Sequence, residues 1–456
     1  MRAVCVLAFL ALAASAAAAE LQYNAERSGT GAGSQTSVQN MKQKVKNFVV
    51  LVMENRSLDN LLGGQKTKGL DNPINSGPFC NPFNLTDSSQ GQACSQASDY
   101  DEVIDDPDHA IYGNNIEFYG NFTPSNNEIS SGFAQPSMKG FVHEQLRSYM
   151  SKEHNRTFLA QQVMNYYTED QVAVLTALTQ NFVTFNHWHS DIPGPTNPNR
   201  VALHSGTSSG YGANTFKYGS MTQRSIFQQL TESNQTWKNY VTDSSEEDAL
   251  WFKWTYDSNN TKNVVPLSNY YKDAAAGKLP HFTVIGPSCC DVGTTSMHPQ
   301  GLVSDGEQLI KDVYEALRAS PQWYTSALLI TFDETGGFHD HVPPPTAPRP
   351  DSLTYNAKTP SGQNYTFEFD RLGGRLPTWL ISPWVQKGYV EQKGTNSDGS
   401  TVSYSASSML RTLGYLWDFD PFNPRVEKAA TFDALIQKTA RTDAPTKLPD
   451  VVKFTK

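Results

Sequence analysis

The sequence predicts an α/β fold with a mostly parallel central sheet and helices on both faces. Residues 45–53 (VKNFVVLVM), 281–285 (HFTVI) and 325–332 (TSALLITF) are continuous apolar runs rich in β-branched residues, as in strands buried on both sides. Residues 305–320 (DGEQLIKDVYEALRAS), between the last two runs, have the apolar spacing of an amphipathic helix. Strands that alternate with helices favour a parallel sheet covered by helices.

Length and composition predict one large globular domain. The chain has 456 residues, of which 38% are hydrophobic and 11% aromatic, and this is ample material for a core. We expect a single catalytic domain over residues 44–456 with long loop insertions. The formal net charge is -9 and no basic stripe is visible, which argues against a nucleic-acid-binding protein.

The N-terminus predicts export. Residues 1–19 combine an early arginine, a short apolar run and a tract of small residues, the pattern of a secretory signal peptide. A membrane anchor needs about 20 apolar residues in a row, and this run is shorter. Residues 20–43 are polar and rich in Gly and Ser, so we expect a flexible leader. The protein is therefore predicted to be secreted, with no transmembrane segment.

Cysteines and sequons agree with that compartment. Cys5 falls in the predicted signal peptide, which leaves an even number of cysteines and indicates disulfide bonds. A Cys80–Cys94 bridge would pin a polar loop, whereas Cys289 and Cys290 can bridge each other or reach elsewhere. Sequons that predict a glycoprotein lie at Asn84, Asn121, Asn155, Asn234, Asn259 and Asn364.

The remaining segments continue the alternation of strands and helices. Residues 64–135 are polar, long and irregular, as in a functional insertion, and we expect them to cover the site. Residues 139–180 have helical spacing, with Thr168 placed to cap the last helix, and a strand-like VTFNHW follows. Residues 376–382 (LPTWLIS) predict a further strand, and the tail from residue 423 is polar and partly helical.

Two of the apolar strands end at a pair of polar side chains. The first runs into Glu54 and Asn55, and the third into Asp333 and Glu334. Ligand sites of open α/β sheets lie beyond the carboxyl ends of the strands, so both pairs are expected in one crevice. Hard oxygen ligands there suit a divalent metal ion, and GGFHDHVPPP adds His341 close by in sequence. Either pair alone would more simply cap a helix or face solvent.

Residues 187–200 (HWHSDIPGPTNPNR) offer a nucleophile. The prolines stiffen this loop and present Thr196 on a turn. A hydroxyl beside a cation can lose its proton and attack phosphorus; alternatively, the loop is only a rigid turn. Arg200 can bind phosphate oxygens or pair with a structural carboxylate.

Two loop histidines are candidates for proton transfer. His298 follows the second strand, and His109 lies in DDPDHAIYG. Each can bind phosphate or protonate a leaving group, and each can equally satisfy a surface turn. We interpret His187 and His189 as structural.

Five sequence blocks together resemble the phosphoesterase family, which includes bacterial and plant non-haemolytic phospholipases C and a group of acid phosphatases. The blocks are VVLVMENRSLDNLLG, SDIPGPTNPNR, SMHPQGLVSDGEQLIKDVYEALRASPQW, FDETGGFHDHVPPP and LPTWLISPWV, in this order over residues 45–385. The PSCC and NPFN segments resemble fungal members. The resemblance implies a fold like that of alkaline phosphatases and sulfatases, with one or more divalent metals at the strand ends.

The resemblance also implies roles for single residues. Glu54 and Asn55 match metal ligands, so Asn55 is not expected to carry a glycan although it begins a sequon. Asp333 and Glu334 match the family's acid pair, with Asp333 foremost as a ligand. Thr196 stands where the family has its hydroxyl nucleophile, which implies a phosphothreonine intermediate. The histidines that match groups holding the phosphoryl oxygens or serving the leaving group are His109, His298 and His341.

Some positions depart from the family pattern. Leu58, Asp59 and Asn60 stand where Phe-Asp-His is common, and His339 stands where a second aromatic residue is common. None of these is a proposed ligand, so they bear on the shape of the substrate site. The twin-arginine export signal of some bacterial members is replaced by an ordinary secretory signal.

The sequence thus predicts a secreted, metal-dependent phosphoesterase with a threonine nucleophile. Aromatic-rich insertions that can receive lipid favour a phospholipase C acting on phospholipids; the alternative is an acid phosphatase acting on small phosphomonoesters. A secreted binding protein that keeps the fold without catalysis is a further alternative, although every proposed ligand and the hydroxyl are present. An arylsulfatase is disfavoured because the sequence has no Cys-x-Pro-x-Arg motif.

Overall fold

A mixed β-sheet of eight strands forms the centre of the protein. The computed structural model describes residues 32–150, 155–242 and 247–454. The strands, numbered along the chain, are β1 (Asn47–Met53), β2 (Cys80–Pro82), β3 (Gln92–Cys94), β4 (Val183–Phe185), β5 (Trp188–His189), β6 (Trp237–Val241), β7 (Val264–Pro266), β8 (Phe282–Ile285), β9 (Ser326–Phe332), β10 (Tyr355–Lys358), β11 (Asn364–Phe367), β12 (Trp379–Ile381), β13 (Tyr389–Glu391), β14 (Gly394–Thr395), β15 (Thr401–Val402) and β16 (Tyr404–Ser405). The central sheet has the order β13-β4-β12-β9-β1-β8-β6-β7, and the other strands form short pairs.

The sheet topology confirms the predicted fold class. β1 lies between β9 and β8 and is parallel to both. The pairs β6–β8, β6–β7 and β13–β4 are also parallel, whereas β12 is antiparallel to both of its neighbours. Every residue of β1 and β9 is buried, which requires cover on both faces of the sheet.

Helices connect most of these strands. They are α1 (Gln35–Lys44), α2 (Leu58–Leu62), α3 (Pro73–Ser76), α4 (Ile111–Tyr119), α5 (Asn126–Ser130), α6 (Phe141–Tyr149), α7 (Arg156–Met164), α8 (Ala173–Asn181), α9 (Thr196–Ser205), α10 (Ile226–Glu232), α11 (Lys253–Tyr256), α12 (Ser268–Ala275), α13 (Val303–Ala319), α14 (Ala406–Trp417) and α15 (Pro424–Glu427). Among the described residues, no helix combines the length and the apolar character that a membrane span requires.

The helices lie on both faces of the sheet, as predicted. Phe48 of β1 is in register with Phe282 of β8, and the Phe282 ring lies 6.5 Å from the ring of His204 in α9. Met53 points to the opposite face, because an odd number of positions separates it from Phe48. On that face α13 packs so closely that a Cβ atom at Gly306 would lie 3.2 Å from Met53 Cε.

Part of the predicted leader is helical. Residues 1–19, the predicted signal peptide, and residues 20–31 lie outside the described residues. From Gln35 onward the chain forms α1, in which Met41 is buried and the Ser37 hydroxyl donates a hydrogen bond to Asp433. The expectation of a flexible leader is therefore corrected for residues 35–43, because one buried methionine and one buried carboxylate anchor an otherwise polar helix.

The polar insertion of residues 64–135 reaches the carboxyl edge of the sheet. The disulfide between Cys80 and Cys94 joins the paired strands β2 and β3 and fixes part of the insertion. Asp106 and His109, further along the insertion, line a cavity at this edge.

Candidate functional site

The ends of β1 and β9 bring the two predicted polar pairs together. Their parallel register sets the last residues of the strands side by side, and Glu54, Asn55, Asp333 and Glu334 follow directly. The backbone N–H of Asn55 donates to Asp333 Oδ1 at 3.0 Å. Asn55 has a φ of 52°, a left-handed conformation that Asn adopts more readily than most residues. We call these four residues the strand-end cluster.

Two glycines allow the β9 end to approach its neighbours. Gly336 and Gly337 have φ values of 64° and 69°. A Cβ atom at Gly336 would lie 2.4 Å from the backbone oxygen of Asn55, and one at Gly337 would lie 2.7 Å from the backbone oxygen of Asp108. Because only glycine combines this φ with such close contacts, the Gly-Gly pair sets the turn that follows Glu334.

A buried arginine balances part of the negative charge. Arg200 Nε lies 2.9 Å from Glu54 Oε1 and 3.8 Å from Asp333 Oδ2, and its Nη1 lies 3.1 Å from Asp248 Oδ1. His204 Nε2 binds the other Asp248 oxygen at 2.8 Å. Burial alone would raise the pKa of Asp248, but Arg200 and His204 hold this pKa below its usual value. Arg200 thus takes the structural one of the two roles that the sequence left open.

Thr196 is the first residue of α9 and lies one helical turn before Arg200 on the same helix face. Since Arg200 contacts the strand-end cluster, this face of α9 is turned towards the cluster. The loop before α9 is held by Asn199, whose Nδ2 donates to the backbone oxygens of residues 192, 194 and 195. Thr196 is only 6% exposed, so rigid surroundings fix its position.

His109 faces the strand-end cluster from the insertion. Its Nε2 lies 3.4 Å from Asn55 Nδ2 and 3.8 Å from Glu334 Oε1, and its Nδ1 lies 2.7 Å from the Pro107 backbone oxygen. Burial lowers the pKa of His109, but the carboxylates of Glu334 and Asp106 raise it to about 9. Burial has the opposite effect on Glu334 and raises its pKa. His109 and Glu334 together therefore hold a proton at neutral pH.

Asp106 links His109 to His298. Asp106 Oδ1 lies 3.8 Å from His109 Nδ1, and Asp106 Oδ2 lies 3.9 Å from His298 Nε2. The two imidazole rings are 6.5 Å apart and nearly perpendicular. Asp106 was not predicted, because DDPDH contains several equivalent acids and the residue pattern does not single out one of them.

His341 belongs to a different cluster. Its Nδ1 lies 2.7 Å from Asp59 Oδ2, its Nε2 lies 3.1 Å from Asp71 Oδ1, and its ring stacks on Phe79 at 3.9 Å. Arg375 binds the other Asp59 oxygen at 2.9 Å. Burial lowers the pKa of His341, but the hydrogen bond to Asp59 raises it above its usual value. Within the described ranges no hydrogen bond or ion pair joins His341 to the strand-end cluster, and its role at the leaving group stays a prediction.

The strand-end cluster has oxygen atoms that can act as ligands of a cation. In the part of the chain that the structure describes, Asn55 Oδ1, Asp333 Oδ2 and Glu334 Oε1 are buried without a hydrogen-bond donor. Each such acceptor costs about 1–3 kcal/mol when left unsatisfied. The cluster holds three acids, and the buried Arg200 also serves Asp248, so negative charge is in excess. An oxygen-only ligand set of this kind suits a hard divalent cation.

A cavity of about 560 Å³ opens next to His109. Pro195, which precedes Thr196, also lines it. Its volume lies in the usual range for small-molecule sites. The wall is rich in aromatic side chains, namely Tyr112, Tyr149, Tyr355 and Tyr365.

Solved structures show distant similarity. A protein in the alkaline phosphatase superfamily from Vibrio parahaemolyticus aligns with a TM-score of 0.37 and 12% identity, over 57% of this chain and 64% of that chain. The phosphonate monoester hydrolase of Agrobacterium radiobacter aligns with a TM-score of 0.32 and 12% identity, over 60% of this chain and 73% of that chain. Nothing about activity follows from scores at this level.

Sequence comparisons are far more specific. Non-specific phospholipase C3 of Arabidopsis thaliana is 33% identical over 93% of this chain and 79% of its own length. Non-specific phospholipase C6 of the same plant is 36% identical over 89% of this chain and 75% of its own length. The non-hemolytic phospholipase C of Pseudomonas aeruginosa is 28% identical over 50% of this chain and 38% of its own length. The phosphoesterase family profile matches residues 45–420, so the chain belongs to the phosphoesterase family and is a hydrolase of phosphate ester bonds.

Proposed function

We propose that this protein is a secreted, metal-dependent phosphoesterase that cleaves phospholipids as a phospholipase C, with Thr196 as its nucleophile. The observation that carries the proposal is that His109, which lies beside Asn55 and Glu334 of the strand-end cluster, lines the same cavity as Pro195, the residue before Thr196. The relatives named as non-specific phospholipases C, at 33% and 36% identity, support a phospholipid substrate.

Glu54, Asn55 and Asp333 would hold the cation, with Glu334 as a further carboxylate beside them. A bound divalent cation would stabilise negative charge that develops on oxygen during phosphoryl transfer. Arg200 binds Glu54 through both Nε and Nη2 and so fixes the direction of this carboxylate. The protein therefore positions the ligand side chains by its own contacts.

Thr196 would supply the attacking hydroxyl. Its proton passes to solvent as its oxygen forms a bond to phosphorus, and the bond from phosphorus to the alcohol oxygen breaks. Water then attacks the phosphothreonine, which releases the phosphate group and returns a proton to the Thr196 oxygen. The N-terminal end of α9 favours the phosphate electrostatically, because the helix dipole is positive there. Asn199 holds the preceding loop, so the hydroxyl is oriented without large motions.

His109 would donate the proton to the leaving oxygen. Its Nδ1 is engaged by the Pro107 backbone oxygen, which leaves Nε2 for proton exchange on the side of Asn55 and Glu334. The carboxylates of Glu334 and Asp106 raise its pKa, which favours the protonated imidazole. Asp106 and His298 support its orientation from the far side.

Hydrolysis of phosphatidylcholine and of para-nitrophenyl phosphate tests the proposal. The purified chain should release diacylglycerol, lose this activity with a chelator and regain it with a divalent cation. Thr196→Ala should reduce the turnover number by more than about a thousandfold, whereas Thr196→Ser keeps a hydroxyl and part of the activity. Thr401→Ala, at an exposed threonine in β15, is the matched control and should be fully active.

The other outcomes separate the alternatives. Nitrophenol release without diacylglycerol indicates an acid phosphatase that acts on phosphomonoesters. No release from either substrate with cation supplied contradicts catalysis and favours a binding protein. Full activity of Thr196→Ala contradicts the threonine nucleophile, whatever the substrate.

We also propose that the protein is secreted and glycosylated. Five of its sequons begin at exposed asparagines, and two disulfides are typical of an oxidising compartment. Enzymatic removal of N-glycans from protein secreted by a eukaryotic host should lower its mass; an unchanged mass contradicts glycosylation. The exposed asparagines are Asn121, Asn155, Asn234, Asn259 and Asn364.

A further inference from the structure

A disulfide between adjacent residues lies beside the strand-end cluster. Cys289 and Cys290, in the loop that follows β8, are bonded to each other. Their two sulfur atoms and a carboxylate oxygen of Glu54 all lie within 4.8 Å of one another. Both sulfur atoms and this carboxylate are therefore close enough to reach a single ion.

The loop is fixed at its base and exposed at its tip. The N–H of Thr295 donates to the Ser288 backbone oxygen at 3.1 Å, and the N–H of Ser288 donates to Thr295 Oγ1 at 3.2 Å. At the tip, Val292 is 78% exposed, and a Cβ atom at Gly293 would meet no atom within 4 Å. Cys290 is at least partly exposed, so a reductant can reach the disulfide without opening the sheet.

Reduction changes what these sulfur atoms can bind. A disulfide sulfur carries no charge, whereas a thiolate is a strong and soft metal ligand. Two thiolates with one carboxylate form a ligand set for Zn²⁺ or Cd²⁺ rather than for Mg²⁺ or Ca²⁺, which prefer oxygen alone. We propose that Cys289, Cys290 and Glu54 form a site for a thiophilic divalent cation, and that this site exists only after the disulfide is reduced.

A dithiol reductant balances the reaction. Its thiolate attacks one sulfur of the disulfide, and its second thiol then closes it into a cyclic disulfide, which leaves thiols at Cys289 and Cys290. The incoming cation displaces the two thiol protons to solvent. The site shares Glu54 with the strand-end cluster, so the thiophilic cation withdraws one carboxylate from the hydrolytic site. Its existence does not depend on the proposed function, because it is defined by the ligand atoms alone.

Cadmium binding tests the proposal, because thiolate-to-cadmium charge transfer absorbs in the ultraviolet. The full chain carries Cys5→Ser, Cys80→Ser and Cys94→Ser, so that only the adjacent pair can respond. We expect the reduced protein, freed of reductant, to show a charge-transfer band that corresponds to one thiolate-bound Cd²⁺ per chain, and the oxidised protein to show no band. A version that also carries Cys289→Ser and Cys290→Ser should show no band in either state.

Glu54→Gln distinguishes the three-ligand site from a simple dithiol. Loss of the carboxylate should raise the Kd for Cd²⁺ by about tenfold or more. Glu391→Gln, at a buried carboxylate in β13, is the matched control and should leave the Kd unchanged. Circular dichroism checks that both variants are folded. X-ray absorption on the cadmium-loaded parent protein needs no variant at position 54 and should find two sulfur neighbours together with oxygen.

Three results overturn the proposal: no charge-transfer band in the reduced protein, an unchanged Kd in folded Glu54→Gln protein, or sulfur neighbours without oxygen. None of these readouts uses a phosphate ester. A failed cadmium site and a failed hydrolytic function are therefore told apart.

Discussion

Replacement of Arg200 by methionine tests how the site is assembled. The guanidinium is fully buried, with Nε 2.9 Å from Glu54 Oε1 and Nη1 3.1 Å from Asp248 Oδ1. Methionine has a similar length and no charge, so both carboxylates lose their counterion while the space stays filled. Removal of one partner of a buried ion pair costs about 3–5 kcal/mol, and Arg200 serves two pairs, so we expect about 5 kcal/mol.

The loss should appear in the melting temperature. For a protein of this size a loss of about 5 kcal/mol corresponds to a decrease of roughly 5–10 °C in differential scanning calorimetry. Arg200→Lys keeps the charge but loses the planar fork, so its melting temperature should lie between those of the wild type and Arg200→Met. The double variant Arg200→Met/Asp248→Asn should recover part of the loss, because one uncompensated charge is removed.

The pH dependence gives a second test. In the wild type, Arg200 and His204 hold the pKa of Asp248 low, so the stability from this ionised group is present above its unfolded pKa and is lost as pH falls through the folded pKa. Without Arg200, burial raises this pKa, and the folded variant then gains stability as pH falls. The difference in melting temperature between the wild type and Arg200→Met should therefore become smaller as pH falls from about 8 to about 5. A variant that melts at the wild-type temperature at pH 8 would refute this reasoning.

Three further predictions concern the cation, the first disulfide and His341. Saturation with the hydrolytic cation at 100 times its Kd should stabilise the protein by about 2.7 kcal/mol, and a melting temperature that a chelator leaves unchanged contradicts binding to the folded state. Cys80→Ser with Cys94→Ser should lower the free energy of unfolding by about 3 kcal/mol in urea titrations, since this bond closes a short loop; equal stability before and after the exchange contradicts this. His341→Gln should lower the melting temperature more at acidic than at alkaline pH. The raised pKa of His341 gives stability that is complete below its unfolded pKa and is lost as pH rises through the folded pKa. An equal loss at both pH values contradicts this prediction.

The sheet and the strand-end cluster could be predicted because their causes are local. A strand covered on both faces needs apolar side chains at every position, and β1 and β9 show this in the sequence as unbroken runs. Parallel strands end at the same edge, so the polar residues after each run had to meet. Glu54 and Asp333 were found by this logic alone.

Residues that act through tertiary contacts escaped the prediction. Asp248 lies in the polar stretch DSSEEDALW and Asp106 in DDPDH, where acids are expected at the surface. Asp248 is nevertheless completely buried, because Arg200 of α9 forms an ion pair with it and balances its charge. The pattern of polar residues in α1 likewise concealed the anchoring role of Met41.

His341 shows that the partners of a histidine depend on the path of the chain. It follows Asp333 closely in the sequence, and its role beside Asp333 stays a prediction. Gly336 and Gly337 turn the chain between them, and the following residues run to Asp59 and Arg375 instead. The hydrogen bonds of an imidazole depend on that path, which residue spacing does not reveal.

The burial of Asn55 has a consequence for biosynthesis. Asn55, Arg56 and Ser57 form a sequon, yet all three are completely buried once the sheet has formed. In a host that adds N-glycans, the transferase can reach Asn55 only before β8 and β9 have been synthesised and have paired with β1. At a synthesis rate of about 5–20 residues per second, this interval lasts tens of seconds. A glycan added in that time would have no room in the closed sheet, because Asn55 is completely buried there. Use of this sequon would therefore lower the yield of folded protein and leave the activity of each folded molecule unchanged.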